Sequence, residues 1–198
     1  MPIVGWKGER ARLVPPDRSL HLENALAWLN DPEITAALKL NLGITRRQEE
    51  LFFDRIENRR ENEFTWAILD TTERHIGFIG LHEINWRHRW AVGGLVIGER
   101  SAWGQGYATD AVQIRTRFAF GELGLHRIEG HTTNPAMRRV YEKCGYCHEG
   151  LARRKFWRDG RWHDADLYAI LEEDWFALQE ERIVPRSAGP TATPMTGT

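Results

Sequence analysis

The run Trp103-Gly104-Gln105-Gly106-Tyr107-Ala108-Thr109 lies between an apolar extended segment and a long helical one. Glycines at a helix N-terminus let several backbone N–H groups converge on one point, and the helix dipole adds to their pull on an anion. A phosphate-bearing ligand is the expected guest, although glycines also simply turn chains. Two familiar phosphate loops fit poorly. A dinucleotide fold needs Gly-x-Gly-x-x-Gly, and the third position here is Thr109. A P-loop needs Gly-Lys-Ser/Thr, which does not follow. Cys144-Gly145-Tyr146-Cys147-His148 suggests zinc at first sight, but no second Cys/His pair of matching spacing completes four ligands.

The surrounding elements must hold this hinge in place. Ala11 to Pro15 reads as a first strand, ended by Pro15-Pro16. Ser19 is the expected N-cap of a helix carrying Leu22, Leu26 and Leu29, which Asn30-Asp31-Pro32 terminates. A second helical region runs from about Thr45 to Arg60, with Leu51, Phe52 and Ile56 on one side. Three β-rich runs follow, Phe64–Leu69, Ile76–Ile84 and Trp90–Ile97, the last with Gly93-Gly94 inside it. Glycines within a strand mark a bulge or a close backbone approach. Beyond the hinge, Ala108, Ala111, Val112, Ala119 and Leu123 recur at helical spacing before Gly124. Arg127–Thr132 is a short strand, and Pro135 opens a helix that should stop at Gly145. Phe156-Trp157 and Leu167–Leu171 belong to two strands joined at Asp159-Gly160, a hairpin turn. Glu172–Arg182 forms a terminal helix, and the tail from Pro185 is expected to be disordered. The order βαα-βββ-αβα-ββ predicts one mixed α/β domain over residues 1–184, with 185–198 as a tail.

Composition narrows the function. The 198 residues carry 27 Lys and Arg against 28 Asp and Glu, so no net charge attracts nucleic acid or an anionic membrane. No apolar run approaches the ~18 residues of a membrane span, and Met1 to Arg10 is too polar for a signal peptide. The two cysteines, Cys144 and Cys147, imply no disulfide framework and fit a reducing cytoplasm. Nine tryptophans are numerous enough to supply core, pocket and oligomer contacts.

Two blocks carry a resemblance to the GNAT superfamily of acyl-CoA-dependent N-acyltransferases, covering roughly Phe64 to Trp175. The hinge resembles that family's Gln/Arg-x-x-Gly-x-Gly/Ala loop, with Trp103 in the first position. Many ribosomal-protein N-terminal acetyltransferases also read Trp-Gly-x-Gly-Tyr-Ala there. The segment Asn134-Pro135-Ala136-Met137-Arg138-Arg139-Val140-Tyr141-Glu142-Lys143-Cys144-Gly145-Tyr146 resembles the family's Asn-x-x-Ala-x-x-x-Tyr-x-x-x-Gly-Phe helix, with Met137 in place of Ala. Glu83–Arg89, Leu125–Ile128 and Gly160–Asp164 are similar to blocks of the spermidine acetyltransferases.

The resemblance implies a largely antiparallel sheet flanked by helices, in which the Trp90–Gly98 and Arg127–Thr132 strands splay apart to admit acetyl-CoA as cosubstrate. Trp103, Gly104, Gln105, Gly106, Tyr107, Ala108 and Thr109 would then hold the pyrophosphate. Backbone groups around Ile97 and Gly98, together with Asn134, would orient the pantetheine. A backbone N–H would stabilise the oxyanion. The primary amine loses a proton to Glu83 through water and attacks directly. Tyr141, a phenol with an ordinary pKa of ~10, protonates the departing thiolate. No metal is needed. The acceptor is a polyamine, a protein N-terminus, an amino sugar or similar, and a homodimer or higher homo-oligomer is expected. The alternative is a non-catalytic CoA-binding regulatory module.

Three other features have solvated-surface readings beside functional ones. Arg153-Arg154-Lys155 with Arg158 and Arg161 could hold the 3′-phosphate of CoA or an acidic partner. Glu49, Glu50, Glu57, Glu61 and Glu63 could form an acidic lip that attracts a cationic amine. His126, His131 and His163 are expected to be structural or solvent-facing.

Overall fold

The computed structural model describes residues 6–183 apart from 37, 39–42, 59 and 60. In chain order the elements are β1 (Trp6–Lys7), β2 (Arg12–Val14), α1 (Arg18–Leu29), α2 (Pro32–Thr35), α3 (Arg46–Glu57), β3 (Phe64–Leu69), β4 (His75–Asn85) and β5 (Trp90–Ile97). A 3-10 turn at Arg100–Ala102 leads to α4 (Tyr107–Gly121), β6 (Arg127–Thr132), α5 (Pro135–Lys143), β7 (Cys147–Arg158), β8 (Arg161–Leu171) and α6 (Glu172–Ile183). The expected helix end at Arg60 and the tail from Pro185 lie outside the described residues.

Local chemistry accounts for most boundaries. Thr45 and Gln48 form a reciprocal capping box at the start of α3. Asp159 and Gly160 take φ of 51° and 72°, the left-handed pair that a tight hairpin requires. Ser19 does not cap α1. Asp17 does, accepting from the Ser19 N–H at 2.7 Å, because its carboxylate lies at the position from which the first turn's donors can be reached. The strand expected at Phe156 begins at Cys147, nine residues earlier. It is an edge strand, mostly solvent-facing, so charged side chains occupy it and no apolar alternation announces it.

The strands form one eight-stranded sheet in the order β1-β2-β3-β4-β5-β6-β8-β7. Every neighbouring pair is antiparallel except β5 and β6. Those two pair only as Trp90–Arg127, Ala91–Ile128 and Val92–Glu129, yet β5 continues to Ile97 and β6 to Thr132. Beyond Val92 and Glu129 the strands form no ladder, which is the splay that the resemblance implies. Buried backbone groups normally find partners, so an opening of this kind is suited to a guest that brings amides of its own.

One face of the sheet carries the larger core, in which Ala111, Val112, Ile114, Ala119 and Phe120 of α4 pack with Ile79, Leu81 and Ile128. Leu22 and Ala25 of α1 form a smaller cluster with Phe53 of α3, onto which Phe78 of β4 packs. No helix among the described residues is long and apolar enough to cross a membrane.

Candidate active site

The hinge is built by backbone conformation. Gly104 and Gly106 take φ of 74° and 89°, a region that an L side chain strains to enter. Gly106 is the N-cap of α4 and has no side chain to offer it. The first-turn N–H groups of Tyr107, Ala108 and Thr109 are therefore left without an intrahelical acceptor. Asp110 is in the same turn, but its carboxylate turns away to accept from the backbone N–H groups of Glu9, Arg10 and Ala11. That bond set brings the Arg10 side chain beside Gly106, where a Cβ would meet its Cδ at 3.4 Å. Arg10 adds a cation to the anion-seeking helix end. Its separation from the hinge in sequence hid this role.

Trp103 and Gln105 brace the turn. The Trp103 indole N–H donates to the Ile97 carbonyl at 2.8 Å, and the Gln105 amide donates to the Ser101 carbonyl. Gly98 donates its N–H to the Ile76 carbonyl at 2.9 Å. Of the groups expected to orient a pantetheine, the Gly98 N–H and the Ile97 carbonyl are thus already engaged. The alternation of an antiparallel ladder turns the groups of Gly93, Leu95 and Ile97 the other way, into the wedge. The Ile97 N–H and both groups of Leu95 face the opening.

Across the wedge, Asn134 caps α5, its side-chain oxygen accepting from the Ala136 N–H at 2.9 Å. Its amide nitrogen has no protein partner among the described residues. Seven residues on, Tyr141 is buried, with its ring stacked on Tyr168 at 5.1 Å and tilted against Tyr146 at 5.0 Å. Its hydroxyl lies against Gly130, where a Cβ would come within 2.1 Å of the phenol oxygen. Burial pushes the phenol up to about 12, with the Arg115 charge pulling the other way. A phenol held there is a weaker acid than a thiol of ~8.5. It stays protonated at neutral pH, with its hydroxyl able to donate a hydrogen bond.

Arg115 is 1% exposed, and its guanidinium donates to the Tyr146 hydroxyl at 3.0 Å and to the Gly94 and Gly80 carbonyls at 3.4 and 3.5 Å. A Cβ on Gly93 would meet it at 2.5 Å, so the glycine inside this strand marks a close approach, as expected. Sequence reasoning passed over Arg115, although it stands four residues after Ala111 and four before Ala119, on the apolar stripe of α4.

Glu83 lies at an irregularity in the β4–β5 ladder between His82 and Asn85, with φ of 54°. The bulge breaks the strand's alternation, and Glu83 is exposed. The acidic stretch is only partly a lip. Glu49 is buried, and burial raises its pKa. Glu57 pairs with Arg18, Glu50 with Arg47, and Glu63 with Arg55. Arg158 donates to the Thr133 hydroxyl at 2.9 Å, which places one member of the basic hairpin beside Asn134.

Cys144 is buried and Cys147 exposed. Among the described residues, the His/Cys/Asp/Glu group close enough to hold a metal is His126, Glu172 and Glu173, and Arg89 already pairs with Glu172 there. His131 stacks on Phe156 at 5.9 Å. His163 lies 3.3 Å from the Arg158 carbonyl.

Comparison with known proteins agrees with this geometry. The acetyltransferase (GNAT) domain family matches residues 10–147. The spermidine N(1)-acetyltransferase of Vibrio cholerae is 31% identical over 134 residues, covering 67% of this chain and 76% of that protein. The probable N-acetyltransferase YjcK of Bacillus subtilis is 34% identical over 137 residues, covering 66% and 70%. The crystal structure of spermidine N-acetyltransferase from Vibrio cholerae, in complex with CoA and spermine, superposes with a TM-score of 0.77 at 26% identity, covering 84% of this chain and 98% of that one.

Proposed function

The chain belongs to the GNAT acetyltransferase family and transfers an acetyl group from acetyl-CoA to an amine, and from that premise we propose that its acceptor is an aliphatic polyamine. The observation that carries this reading is a cavity of about 310 Å³ between the end of β2, α3 and β3. Glu57 and Glu63 supply anionic groups there, the first paired with Arg18 and the second with Arg55, which also lines the cavity with Thr65, while Pro15, Pro16, Ile56, Phe64 and Trp66 supply apolar wall. An aliphatic polyamine alternates cationic nitrogens with methylene runs, and such a lining suits both parts. The likeness to spermidine acetyltransferases supports the same class.

The site fits the cosubstrate. The uncapped first turn of α4 with Arg10 beside it would take the pyrophosphate, and the exposed edge of β5 with the Asn134 amide would take the pantetheine. Bound there, acetyl-CoA supplies an acetyl group activated as a thioester. The chain itself holds the buried Tyr141 hydroxyl against Gly130, beside the apex of the wedge, as a donor. The same reading makes residues 1–184 one catalytic domain followed by a tail. It also makes the protein a cytoplasmic homodimer or larger homo-oligomer, with exposed Trp86, Trp157, Trp162 and Phe176 available for contacts.

The test is thiol release from acetyl-CoA with spermidine, spermine, peptides of varied N-terminus, amino sugars and aminoglycosides. We expect kcat/KM for the polyamines to exceed every other class by tenfold or more. Preference for a peptide or an amino sugar overturns the acceptor while leaving the reaction intact.

A further inference from the structure

His82 of β4 is the ionisable side chain most peculiarly housed in this fold. Its ring lies across the sheet over Gly80 and Gly94, which are opposite each other in the β4–β5 register. A Cβ on Gly94 would come within 2.9 Å of Nε2, and one on Gly80 within 3.0 Å. Any side chain at either position would lift the imidazole off the sheet, so the two glycines form its floor.

The ring is also oriented. Its Nδ1 lies 3.3 Å from Oε1 of Glu63, which in turn pairs with Arg55 at 3.3 Å. A carboxylate partner assigns the proton to Nδ1 and leaves the lone pair on Nε2, over the bare patch of sheet. This arrangement of a base held by an acid residue is the one that proton abstraction requires.

Its place in the fold gives it a task. Gly93 and Gly130 are the first residues of β5 and β6 beyond their last pair, Val92 with Glu129, so they mark the apex of the wedge. The Tyr141 hydroxyl rests on Gly130 from one side, and the His82 ring lies over Gly94 beside Gly93. The Arg115 guanidinium acts electrostatically on both groups. Glu83, next in sequence, is exposed on the bulge.

We propose that His82, oriented by Glu63, takes the proton from the acceptor's ammonium group. This rests on the acetyl-transfer reading and holds for whichever amine is the substrate. The ammonium gives one proton to Nε2, and the half-buried ring passes it to solvent. The freed nitrogen forms the C–N bond to the acetyl carbon, and the C–S bond breaks. The nitrogen's second proton ends on the thiolate sulfur, whose charge the Tyr141 hydroxyl stabilises meanwhile. The charged groups facing His82 are Glu63 before β3, Arg55 of α3 and Arg115 of α4. Burial holds its pKa below the ordinary value, Glu63 opposes this, and the two arginines add to it. At neutral pH Nε2 is therefore ready to accept.

The experiment compares His82→Gln and Glu63→Gln with wild type, using an alkylamine and an amine that is unprotonated at neutral pH, such as an arylhydrazine. Wild-type rates across the amine panel report on the acetyl-transfer reading, and variant-to-wild-type ratios report on His82. For His82→Gln we expect kcat/KM with the alkylamine to fall about 100-fold at neutral pH, and the acidic limb of its pH profile to move up to follow the free-amine fraction. The hydrazine should be acetylated within a few-fold of wild type, with acetyl-CoA affinity by calorimetry unchanged. An unchanged alkylamine rate, or an equal loss on both amines, overturns the proposal. Should His82→Gln fail to fold, Glu63→Gln decides. Removing the one charge that raises the imidazole's affinity for protons should move the acidic limb to lower pH, and an unmoved limb overturns the assignment.

Discussion

The two flanks of the proposed site are made of different material. The cosubstrate flank, from β5 through the hinge to α4 and α5, is mostly backbone: left-handed glycines, an uncapped helix turn and an unpaired strand edge. The acceptor flank, where α1 and α3 meet β3 and β4, is made of side chains held by one another, such as Arg18 with Glu57, Arg55 with Glu63, and Glu63 with His82. Backbone recognition depends on glycine placement and strand geometry, which short segments encode. Side-chain recognition depends on pairs brought together by the fold. The reaction is accordingly written locally in this chain, whereas the acceptor is not.

Variants should separate the flanks. The largest effect is expected from Tyr141→Phe, which should lower kcat about 100-fold while acetyl-CoA affinity by calorimetry stays within twofold. Undiminished turnover would reduce Tyr141 to a core aromatic. Next comes Gly106→Ala. Alanine lets the free hinge relax out of the left-handed region, and restoring that conformation on binding costs about 1–2 kcal/mol, so the dissociation constant for acetyl-CoA should rise about tenfold while the acceptor KM holds. A rise in the acceptor KM alone would break the division between flanks.

Acid should attack the acceptor flank first. His75 is 7% exposed and contacts His21 ring to ring at 4.4 Å. Burial lowers the pKa of both, and that of His75 falls to about 3. Between that value and the ordinary 6.5 the unfolded chain binds more protons, so the stability these rings contribute is complete above 6.5 and declines as pH falls. The slope is at most about 1.4 kcal/mol per pH unit for one such ring. Urea titrations from pH 7 to 5 should show this loss, and His75→Gln should flatten it. Glu49, whose raised pKa has the opposite sign, is common to both proteins and drops out of the comparison. The smallest effect is Glu57→Gln, expected to raise the polyamine KM about threefold in a salt-dependent way, because exposed ion pairs are worth about 0.2–1 kcal/mol. Unaltered KM at low salt would remove Glu57 from acceptor binding.

The same division governs what could be read in advance. Gly106, Asn134 with Pro135, and Asp159-Gly160 each act within a few residues, and the structure places each in the turn or cap its local chemistry implies. The splay was legible only through resemblance, since nothing in Gly93–Ile97 or Gly130–Thr132 says that the strands stop pairing. Asp17 and Ser19 are both capping residue types two positions apart, and only the path of the chain decides between them. Arg10 beside Gly106 and Glu63 beside His82 are consequences of the folded sheet.

Gly80, Gly93 and Gly94 have a consequence that is electrical. Gly80 and Gly94 bare one face of the sheet for an imidazole, and Gly93 opens a gap beside Leu81 on the other for a guanidinium, so the two groups lie on opposite sides of the strands. Such a spot behaves as a capacitor with a very thin dielectric. Burial first, and the permanent charge on the inner plate after it, oppose a proton on the outer plate against the pull of Glu63, which on the proposed mechanism returns the ring to its neutral form between turnovers.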